Sequence, residues 1–551
     1  MNTQTSHYDV EVIIVGAGPI GLATGCALRH HDVDCLILEE RTEMREYSRA
    51  NNLWARPQEL LQSIGVRDAL AENAYGIDTI NFFVNGVPTT PTAIADVDSP
   101  FPTVLYSSQE VIEGTLARIF ERRGGRLEHG CKVVDINDDG EGVTVTFTRH
   151  DSAEKETRRC RYLVAADGAH STVRPLLDLD FEPKKLENCL SRQVDAKLTW
   201  RRSGEPEQLW FFYYERGFCG VMPVWDGYHR VFFLSDDESV PERDPTLEEI
   251  QAVAREVVGD ETLTLSDPQW LSHSRYQYGV SAGYMRGRVL LAGDAGHLSL
   301  PIGGQGMNAG LHDAVEVAWR LAMTLRGEAT PLVLDSYVER GDEHIRLSTQ
   351  QVKGFKRTIY RGSITDAVLS IAAKIVPNIG SLMQGTDDMQ QLSVSYPNSL
   401  LNSDHLAGLA HLLHKGPKPG DRAPDAEVVV DGNTTNLLSY LYNPDGRTTG
   451  WALLCFDGRT GDADRLIFPV IQAVASWTLV RPRLVLAGPI FAAGEAPVLS
   501  DLDGKAHGTY GMEGQPALIL VRPDGHIAFR ASAESSDELV TYCARVFGPR
   551  T

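Results

Sequence analysis

The stretch Val10-Glu-Val-Ile-Ile-Val-Gly-Ala-Gly-Pro-Ile-Gly21 decides the fold of this 551-residue chain. Residues 12–15 form a continuous apolar run, which is typical of a strand covered on both faces. Three glycines follow in the pattern G-x-G-x-x-G, and apolar residues then recur at helical spacing. In this pattern the first glycine allows a tight turn, the second allows the close approach of a pyrophosphate, and the third allows close packing of the helix on the strand. We predict these roles for Gly16, Gly18 and Gly21.

A second buried run, Cys35–Leu38, ends at an acidic residue 18 positions after Gly21. A carboxylate at that point can accept hydrogen bonds from ribose hydroxyls. The N-terminus of the helix between the two strands supplies N–H donors and a partial positive charge for phosphates. The sequence therefore predicts a dinucleotide site that contains Gly16, Gly18, Pro19, Ile20, Gly21, Glu39 and Glu40.

The net charge of the chain limits the classes of partner that it can bind. It has 52 Lys and Arg against 74 Asp and Glu, a net charge of −22. A surface this acidic repels nucleic acid and anionic lipid, so we expect neither as a partner. The eight cysteines form no C-x-x-C pair, the first residues are polar, and no apolar run is long enough to span a bilayer. These features favour a cytoplasmic protein with reduced thiols.

Two later motifs identify the dinucleotide. Ala166–Arg174 (ADGAHSTVR) and Leu291–His297 (LAGDAGH) each follow a buried run, and the second leads into Pro301–Asn308 (PIGGQGMN). With the first motif, they resemble the class A FAD-dependent aromatic hydroxylases over about residues 8–400. The subgroup most similar is that of the phenol, hydroxyphenylpropionate and polyketide hydroxylases. The tail resembles the thioredoxin-like domain of that subgroup, and it too lacks C-x-x-C.

The resemblance implies a tightly but non-covalently bound FAD. It places ten further residues at the cofactor: Arg49, Gln109, Asp167, Arg174, Asp294, Pro301, Gly304, Gly306, Met307 and Asn308. The physical chemistry agrees, because a carboxylate at a strand end can accept bonds from ribityl hydroxyls and a glycine-rich loop lets its backbone approach a flat ring. The helix after that loop directs its positive end at a ring that is anionic when reduced. No second glycine fingerprint is present, so NADPH or NADH is expected to dock transiently.

The predicted fold is α/β, with a Rossmann-like FAD-binding domain, an inserted and mainly antiparallel β substrate domain, and a C-terminal thioredoxin-like α/β domain. The FAD-binding domain is expected in two parts, over 1–180 and 286–400 (the second with additional helices), with substrate-domain segments near 75–105. The substrate sheet is expected over 181–285, where aromatic and β-branched residues are frequent. A linker over 401–424 and the thioredoxin-like domain over 425–551 complete the division.

The family reaction implied here uses NAD(P)H and O2 to hydroxylate an aromatic ring through a flavin C4a-hydroperoxide. The stretch Val221–Val224 lacks the Ser and Arg with which benzoate hydroxylases hold a carboxylate, which favours an uncharged phenol or a larger, polyketide-like aromatic. We expect the substrate to be lined by Trp210, Phe212, Met222, Pro223, Val224 and Phe232. The catalytic base stays open among His229, His297, Tyr213 and Tyr214.

Two alternatives remain at this stage. The same scaffold could carry out Baeyer–Villiger insertion or ring cleavage, and the mass and connectivity of the product would decide between them. A non-catalytic flavin-binding module with the tail as an interaction domain is the rival of another class. The tail could also support a homodimer, although no feature of the sequence demonstrates one.

Overall fold

The computed structural model describes residues 8–43, 50–205, 207–214, 217–225, 227–235, 241–300, 302–359, 386–406, 416–442, 450–460, 463–488 and 496–549. Arg49 and Pro301, both predicted to contact FAD, lie outside the described residues, as does part of the predicted linker.

The described residues form 28 strands and 14 α-helices. The strands are β1 (Val10–Val15), β2 (Cys35–Leu38), β3 (Asn52–Leu53), β4 (Tyr75–Ile77), β5 (Thr79–Val84), β6 (Val87–Pro88), β7 (Thr92–Ala93), β8 (Val104–Tyr106), β9 (Arg126–Glu128), β10 (Cys131–Asp138), β11 (Val143–Arg149), β12 (Lys155–Ala165), β13 (Lys184–Thr199), β14 (Leu209–Tyr214), β15 (Gly217–Trp225), β16 (Tyr228–Ser235), β17 (Thr264–Val280), β18 (Met285–Arg286), β19 (Val289–Leu291), β20 (His297–Leu298), β21 (Ser403–His405), β22 (Glu427–Val430), β23 (Asn433–Asn436), β24 (Trp451–Phe456), β25 (Val480–Leu486), β26 (Val498–Ser500), β27 (Ala517–Val521) and β28 (Ile527–Ser532). The helices are α1 (Pro19–His30), α2 (Ala55–Ser63), α3 (Arg67–Ala71), α4 (Gln109–Arg122), α5 (Val173–Leu176), α6 (Leu247–Val258), α7 (Gln305–Arg326), α8 (Pro331–Asp335), α9 (Glu339–Ile359), α10 (Thr386–Met389), α11 (Leu437–Leu441), α12 (Ala463–Val474), α13 (Lys505–Tyr510) and α14 (Ser536–Phe547).

The first sheet is built around β1, which pairs in parallel with β2 on one side and β12 on the other. Val12 and Ile14 of β1 join the core beneath α1, α4 and α7, while Ile13 and Val15 join a second core under β10 and β11. Both faces of the strand are thus covered, which explains its unbroken apolar run. The strand ends of β1, β2 and β12 point to one edge of the sheet, and the motif loops follow there.

The second sheet has the order β20-β17-β13-β16-β15-β14-β5-β6, with β7 beside β5. Its pairs are antiparallel except that of β14 with β5. One face packs on α6 through residues such as Val194, Val231 and Phe233. The other face points away from α6, toward the motif loops of the first sheet.

A third sheet has the order β21-β28-β27-β24-β25-β26-β22-β23, and it contains the strands of the tail together with β21, which lies in the segment predicted as a linker. Helices α12 and α14 pack on one of its faces. The tail is packed against the rest of the chain, because Trp319 of α7 meets Trp451 of β24 edge-on with ring centroids 5.8 Å apart. Among the described residues, no helix combines the length and apolar character needed to cross a membrane.

Candidate active site

One cavity of about 630 Å³ lies where the first and second sheets meet. Its cofactor part comes from the loops of the first sheet and from α7, and includes Gly16, Gly18, Pro19, Ile20, Glu39, Glu40, Gln109, Asp167, Asp294, Gly304, Gly306 and Met307. Its substrate part comes from the second sheet, and includes Phe82, Gln193, Leu209, Phe211, Tyr213, Phe218, Met222, Arg230, Phe232 and Tyr276. The chain thus brings most of the predicted cofactor residues to one cavity.

The three glycines of the first turn have different surroundings. Gly16 has φ +101°, and a Cβ there would lie 2.5 Å from the carbonyl oxygen of Ala166. A Cβ on Gly21 would lie 1.9 Å from the carbonyl oxygen of Gly16, so this glycine packs helix α1 on the turn. Around Gly18, in contrast, no heavy atom of the described residues lies within 4 Å of the Cβ position. Gly18 borders the cavity and leaves room for a bound group to approach the backbone.

Glu39 fixes the end of β2 beside this turn. Its Oε2 accepts a hydrogen bond of 2.6 Å from the Ala17 N–H, and its Oε1 accepts one of 2.7 Å from Arg41 Nε. Burial alone would raise the pKa of Glu39, but these hydrogen bonds hold the pKa below its usual value. Glu39 is therefore a carboxylate at neutral pH, held at the cavity wall.

Asp167 and Arg174 organise the second motif from different positions. Asp167 lines the cavity, and its Oδ2 accepts hydrogen bonds from the backbone N–H groups of Thr172 (2.8 Å) and Val173 (3.1 Å). Its Oδ1 is buried without a hydrogen-bond partner among the described residues. Arg174 lies outside the cavity lining, donates to the Ala295 carbonyl at 2.9 Å and sits 4.0 Å above the Phe181 ring. Arg174 thus ties the second motif to the third.

The third motif ends in a loop that Asn308 holds from behind. Asn308 is fully buried and outside the cavity lining, accepts from the Trp54 N–H at 3.0 Å and donates to the Gly304 carbonyl at 2.6 Å. Trp54 Nε1 also donates to the Gly303 carbonyl at 2.6 Å. Helix α7 begins just after Gly304 with no side-chain cap and no acidic residue in its first turn. The positive end of α7 is therefore directed at the cavity.

Asp313 of α7 holds the turn at Gly293, near the start of the third motif. Its Oδ2 accepts from the Gly293 N–H at 2.8 Å, and its Oδ1 pairs with Arg340 Nε at 2.7 Å. Although burial opposes ionisation, the Arg340 charge holds the pKa of Asp313 well below its usual range. His297 and His344 stack beside it with centroids 3.6 Å apart, and burial lowers the pKa of His344 to about 3.

Gln109 and Asp294 also line the cavity. Gln109 accepts from the Ala50 N–H at 3.2 Å and donates to Glu113 at 2.7 Å. Asp294 lies in the short 3-10 turn after β19, with its side chain exposed toward the cavity.

The substrate part follows the alternation of the second sheet. Leu209, Phe211 and Tyr213 of β14 face the cavity. Trp210 and Phe212, which the sequence analysis placed in the substrate lining, point to the opposite face and pack in the core around α6. Pro223 and Val224 are buried outside the lining, whereas Met222 and Phe232 are in it. The expectation for Trp210, Phe212, Pro223 and Val224 is therefore corrected.

Of the four candidate bases, Tyr213 is the one in the cavity lining. His229 lies 3.1 Å from Glu207, and His297 is buried behind the loop, 3.3 Å from Asp313. Tyr214 packs against the core around α6.

Comparisons with known proteins match this geometry. A family model described as "FAD binding domain" matches residues 9–352, and one described as "Aromatic-ring hydroxylase, C-terminal" matches residues 416–549. The chain belongs to the FAD-binding aromatic-ring hydroxylases. The predicted family, the predicted mixed α/β fold and the predicted FAD are thereby confirmed.

Three relatives of this hydroxylase family illustrate the match. The 12-dehydrotetracycline 5-monooxygenase/anhydrotetracycline 6-monooxygenase of Streptomyces rimosus subsp. rimosus is 30% identical, with 98% of this chain and 99% of that protein covered. Pentachlorophenol 4-monooxygenase of Sphingobium chlorophenolicum is 27% identical, with 98% and 97% covered. The solved anhydrotetracycline hydroxylase from Streptomyces rimosus has a TM-score of 0.71 at 28% identity, with 98% and 100% covered.

The residues present in this hydroxylase fit an FAD. Two helix N-termini without side-chain caps, those of α1 and α7, border one cavity together with the open space at Gly18. An ionised Glu39 stands where ribose hydroxyls can be bonded, and the buried Oδ1 of Asp167 lacks a partner among the described residues. The helix N-termini can bind the phosphates of a dinucleotide, and the carboxylates can accept hydrogen bonds from its hydroxyl groups.

Sequence reasoning missed several lining residues of the hydroxylase, namely Arg41, Asn51, Asn52, Glu113, Thr172, Gln193, Arg230 and Tyr276. Arg41 was within reach, because it follows Glu39 by two positions. Arg230 is the most informative of them, because it is a buried cation that pairs with Asp195 in a wall made mainly of aromatic and apolar side chains.

Proposed function

We propose that this protein hydroxylates an uncharged phenolic or polycyclic, polyketide-like aromatic substrate, with FAD, NAD(P)H and O2. The observation that carries the proposal is the shared cavity, in which aromatic side chains of the second sheet face the cofactor loops of the first. Phe211 and Phe218 lie 5.2 Å apart by ring centroids, and Phe218 and Phe232 lie 5.5 Å apart. Such a wall suits a flat and largely apolar ring system.

The proposed cofactor contacts divide by the part of FAD that each residue would hold. Gly18, Pro19 and Ile20 at the start of α1 would hold the pyrophosphate, and Glu39 the adenosine ribose. Asp294 would accept from the ribityl hydroxyls, and the backbone of residues 304–307 would lie against the flavin ring. Arg174 and Asn308, which do not line the cavity, would act by holding these loops in place.

FAD, when bound, would supply the redox chemistry, which takes two electrons from NAD(P)H and activates O2, with one oxygen atom entering the substrate ring and the other released as water. The chain's own residues orient the ring and exclude water from it. The apolar side chains of Leu209, Phe211 and Met222 are suited to that exclusion. The positive end of α7 stabilises negative charge that develops beside it. We propose Tyr213 as the group that exchanges a proton with a substrate hydroxyl, and its position in the cavity lining supports this.

Relatives of this chain support the substrate class from two sides. One of them is a monooxygenase of an anhydrotetracycline, which has fused rings, and another is a monooxygenase of pentachlorophenol, which is a single phenol. We place this chain nearer to the first, because its aromatic wall extends over β5, β14, β15 and β16. We also propose the cytoplasm as its compartment, since seven cysteines are buried and unbridged, namely Cys26, Cys35, Cys131, Cys160, Cys219, Cys455 and Cys543. A homodimer stays a prediction, which light scattering of the purified protein would test.

The experiment is coupled turnover by the purified holoprotein. A panel of naphthols, hydroxyanthraquinones and simple phenols is tested for acceleration of NADPH and NADH oxidation, with product mass recorded. We expect a fused-ring phenol to accelerate oxidation and to gain one oxygen atom with its ring connectivity intact. The proposal fails if no aromatic compound stimulates oxidation, or if every product carries an inserted ring oxygen or an opened ring.

A further inference from the structure

A buried ion pair lies on the cavity face of the second sheet. Arg230 of β16 stands directly opposite Asp195 of β13 in the antiparallel register, and Phe232 stands opposite Gln193. Residues directly opposite one another share a face of the sheet. Arg230, Phe232 and Gln193 all line the cavity, so the pair Asp195–Arg230 belongs to the substrate wall.

The pair has bidentate geometry. Arg230 Nε donates to Asp195 Oδ1 at 2.7 Å, and Arg230 Nη2 donates to Asp195 Oδ2 at 2.7 Å. Arg230 is 4% exposed and Asp195 is 1% exposed. The Arg230 guanidinium also lies 5.2 Å from the Trp270 ring centroid. A planar guanidinium held in this way keeps a fixed orientation at the cavity wall.

The charge balance of this pair decides which substrates the wall tolerates. A carboxylate brought to Arg230 is attracted by the guanidinium but opposed by the Asp195 carboxylate, so it gains little net attraction from the pair while it loses its hydration in a partly desolvated site. A neutral carbonyl or phenol oxygen meets no such opposition, and a hydrogen bond from a guanidinium to it is favourable.

We infer that Asp195 is a specificity-determining residue, which neutralises Arg230 so that the cavity selects aromatic substrates with an uncharged oxygen at this wall and rejects their carboxylate analogues. This inference rests on the proposed function for the location of the substrate. Asp195 does not line the cavity itself, and acts through Arg230.

A matched pair of ligands tests the inference on the holoprotein. The ligands are 6-hydroxy-2-naphthamide and 6-hydroxy-2-naphthoate, which have nearly the same shape and differ in charge. Their Kd values are measured from the change in flavin absorbance on titration. We expect the wild type to bind the amide at least about tenfold more tightly, and Asp195→Asn to reverse the order because the carboxylate that opposes an anionic ligand at Arg230 is gone.

Two further variants allow the inference to be tested even if Asp195→Asn does not fold. Arg230→Gln leaves Asp195 as the unpaired charge, so discrimination against the naphthoate should increase and 6-(aminomethyl)-2-naphthol should bind more tightly. The double variant Asp195→Asn/Arg230→Gln removes both charges and should lose the reversal seen with Asp195→Asn. Asp267→Asn is the matched control, because Asp267 pairs with Lys197 at 3.0 Å in a half-exposed position. Its Kd ratio should equal that of the wild type.

The outcomes separate the inference from the proposed function. A Kd ratio that stays within about twofold of the wild-type value in both Asp195→Asn and Arg230→Gln overturns the inference, whatever the turnover. If Asp195→Asn yields no holoprotein, the opposite-signed shift in Arg230→Gln decides. If the ratios shift as expected but no naphthol is oxygenated, the inference about binding stands and the proposed hydroxylation fails.

Discussion

At the scale of single residues, Gly18 differs from its two neighbours in the motif because the protein itself leaves its Cβ position empty. Gly18→Val should therefore fold but fail to hold FAD, since the side chain would occupy the space of the pyrophosphate. The expected product is a colourless protein whose far-UV circular dichroism equals that of the wild type. Flavin absorbance per mole of purified protein is the measurement.

The control for Gly18→Val is Gly488→Val in the tail. Gly488 also has no heavy atom within 4 Å of its Cβ position, and it lies outside the cavity lining. This variant should stay fully yellow. Retention of flavin by Gly18→Val would contradict the assignment of the turn, whereas Gly21→Val is uninformative because its Cβ would clash with the Gly16 carbonyl at 1.9 Å.

The residues that the sequence could predict are those whose role depends on their own short motif. The glycine turn, Glu39 and Asp167 each follow a buried strand within a few positions, so local order is enough to place them at the cavity. Arg230 could not be found in this way, because its role depends on the ion pair with Asp195, which is 35 positions away on a paired strand. Gln193 and Tyr276 depend equally on the register of strands that are distant in sequence.

At the scale of elements, the aromatic run of β14 predicts a strand, but the sequence does not indicate which of its side chains face the cavity. Both faces of Leu209–Tyr214 carry large apolar residues, since one face lines the cavity and the other packs on α6. A strand with apolar residues on both faces shows no alternation from which the inner face could be inferred. This is why Trp210 and Phe212 were assigned to the wrong side.

The alternation of β14 gives a paired prediction. Phe211→Ala should raise KM for the aromatic substrate while leaving the thermal midpoint nearly unchanged, because Phe211 faces the cavity and is partly exposed. Phe212→Ala should instead destabilise the protein by about 3–5 kcal/mol, since Phe212 is buried in the core around α6. Steady-state kinetics and thermal unfolding measure the two effects. Equal effects of both variants on KM would contradict the register.

A second element-scale prediction concerns His507 of α13, which contacts the segments that follow β24 and β26 in the tail sheet. His507 Nδ1 lies 2.7 Å from Asp501, and its Nε2 lies 2.8 Å from Asp457. Burial lowers the pKa of His507, but the hydrogen bonds to the two carboxylates outweigh it and raise the pKa above its usual value. The same contacts hold the pKa values of Asp457 and Asp501 below their usual values.

The direction of these shifts fixes the pH dependence. The contribution of His507 is fully present below about pH 6.5, the ordinary value for histidine, and is lost as pH rises through the raised pKa. The carboxylates lose their contribution only as pH falls through their lowered pKa values. His507→Gln should therefore reduce the thermal midpoint more at pH 6 than at pH 9. The exposed His150 supplies the control, because His150→Gln should show the same midpoint as the wild type at both pH values.

At the scale of the whole molecule, buried charges connect the cofactor loop to the tail. Arg340 pairs with Asp313 under the loop and donates to Tyr396, whose hydroxyl in turn donates to Glu316 of α7 at 3.2 Å. Glu316 lies 3.7 Å from Arg522 of the tail. Because each member is buried, the two parts of the chain are held in one arrangement by groups that cannot be exposed to water at low cost.

A parallel contact runs through α2. Glu59 is fully buried, and its carboxylate pairs with Arg56 at 2.8 Å and with Arg422 of the tail at 2.5 Å. Helix α2 follows directly on Asn52 and Trp54, which contact the loop at residues 303–308. Through α2, the tail is therefore connected to the same loop that borders the cofactor part of the cavity.

Glu59→Gln tests whether this contact joins tail stability to flavin retention. The change leaves the positive charges of Arg56 and Arg422 buried without their shared carboxylate, which should cost about 3–5 kcal/mol. We expect a lower thermal midpoint, and release of flavin at the same lowered temperature, since α2 carries the residues that hold the loop. Glu427→Gln breaks a half-exposed pair with Lys505 in the tail and should change the stability by less than about 1 kcal/mol. Adding Arg422→Gln to Glu59→Gln removes one of the two buried cations that have lost the Glu59 carboxylate and should restore part of both midpoints. If Glu59→Gln behaves like Glu427→Gln, the Glu59 contact does not couple the stability of the tail to flavin retention.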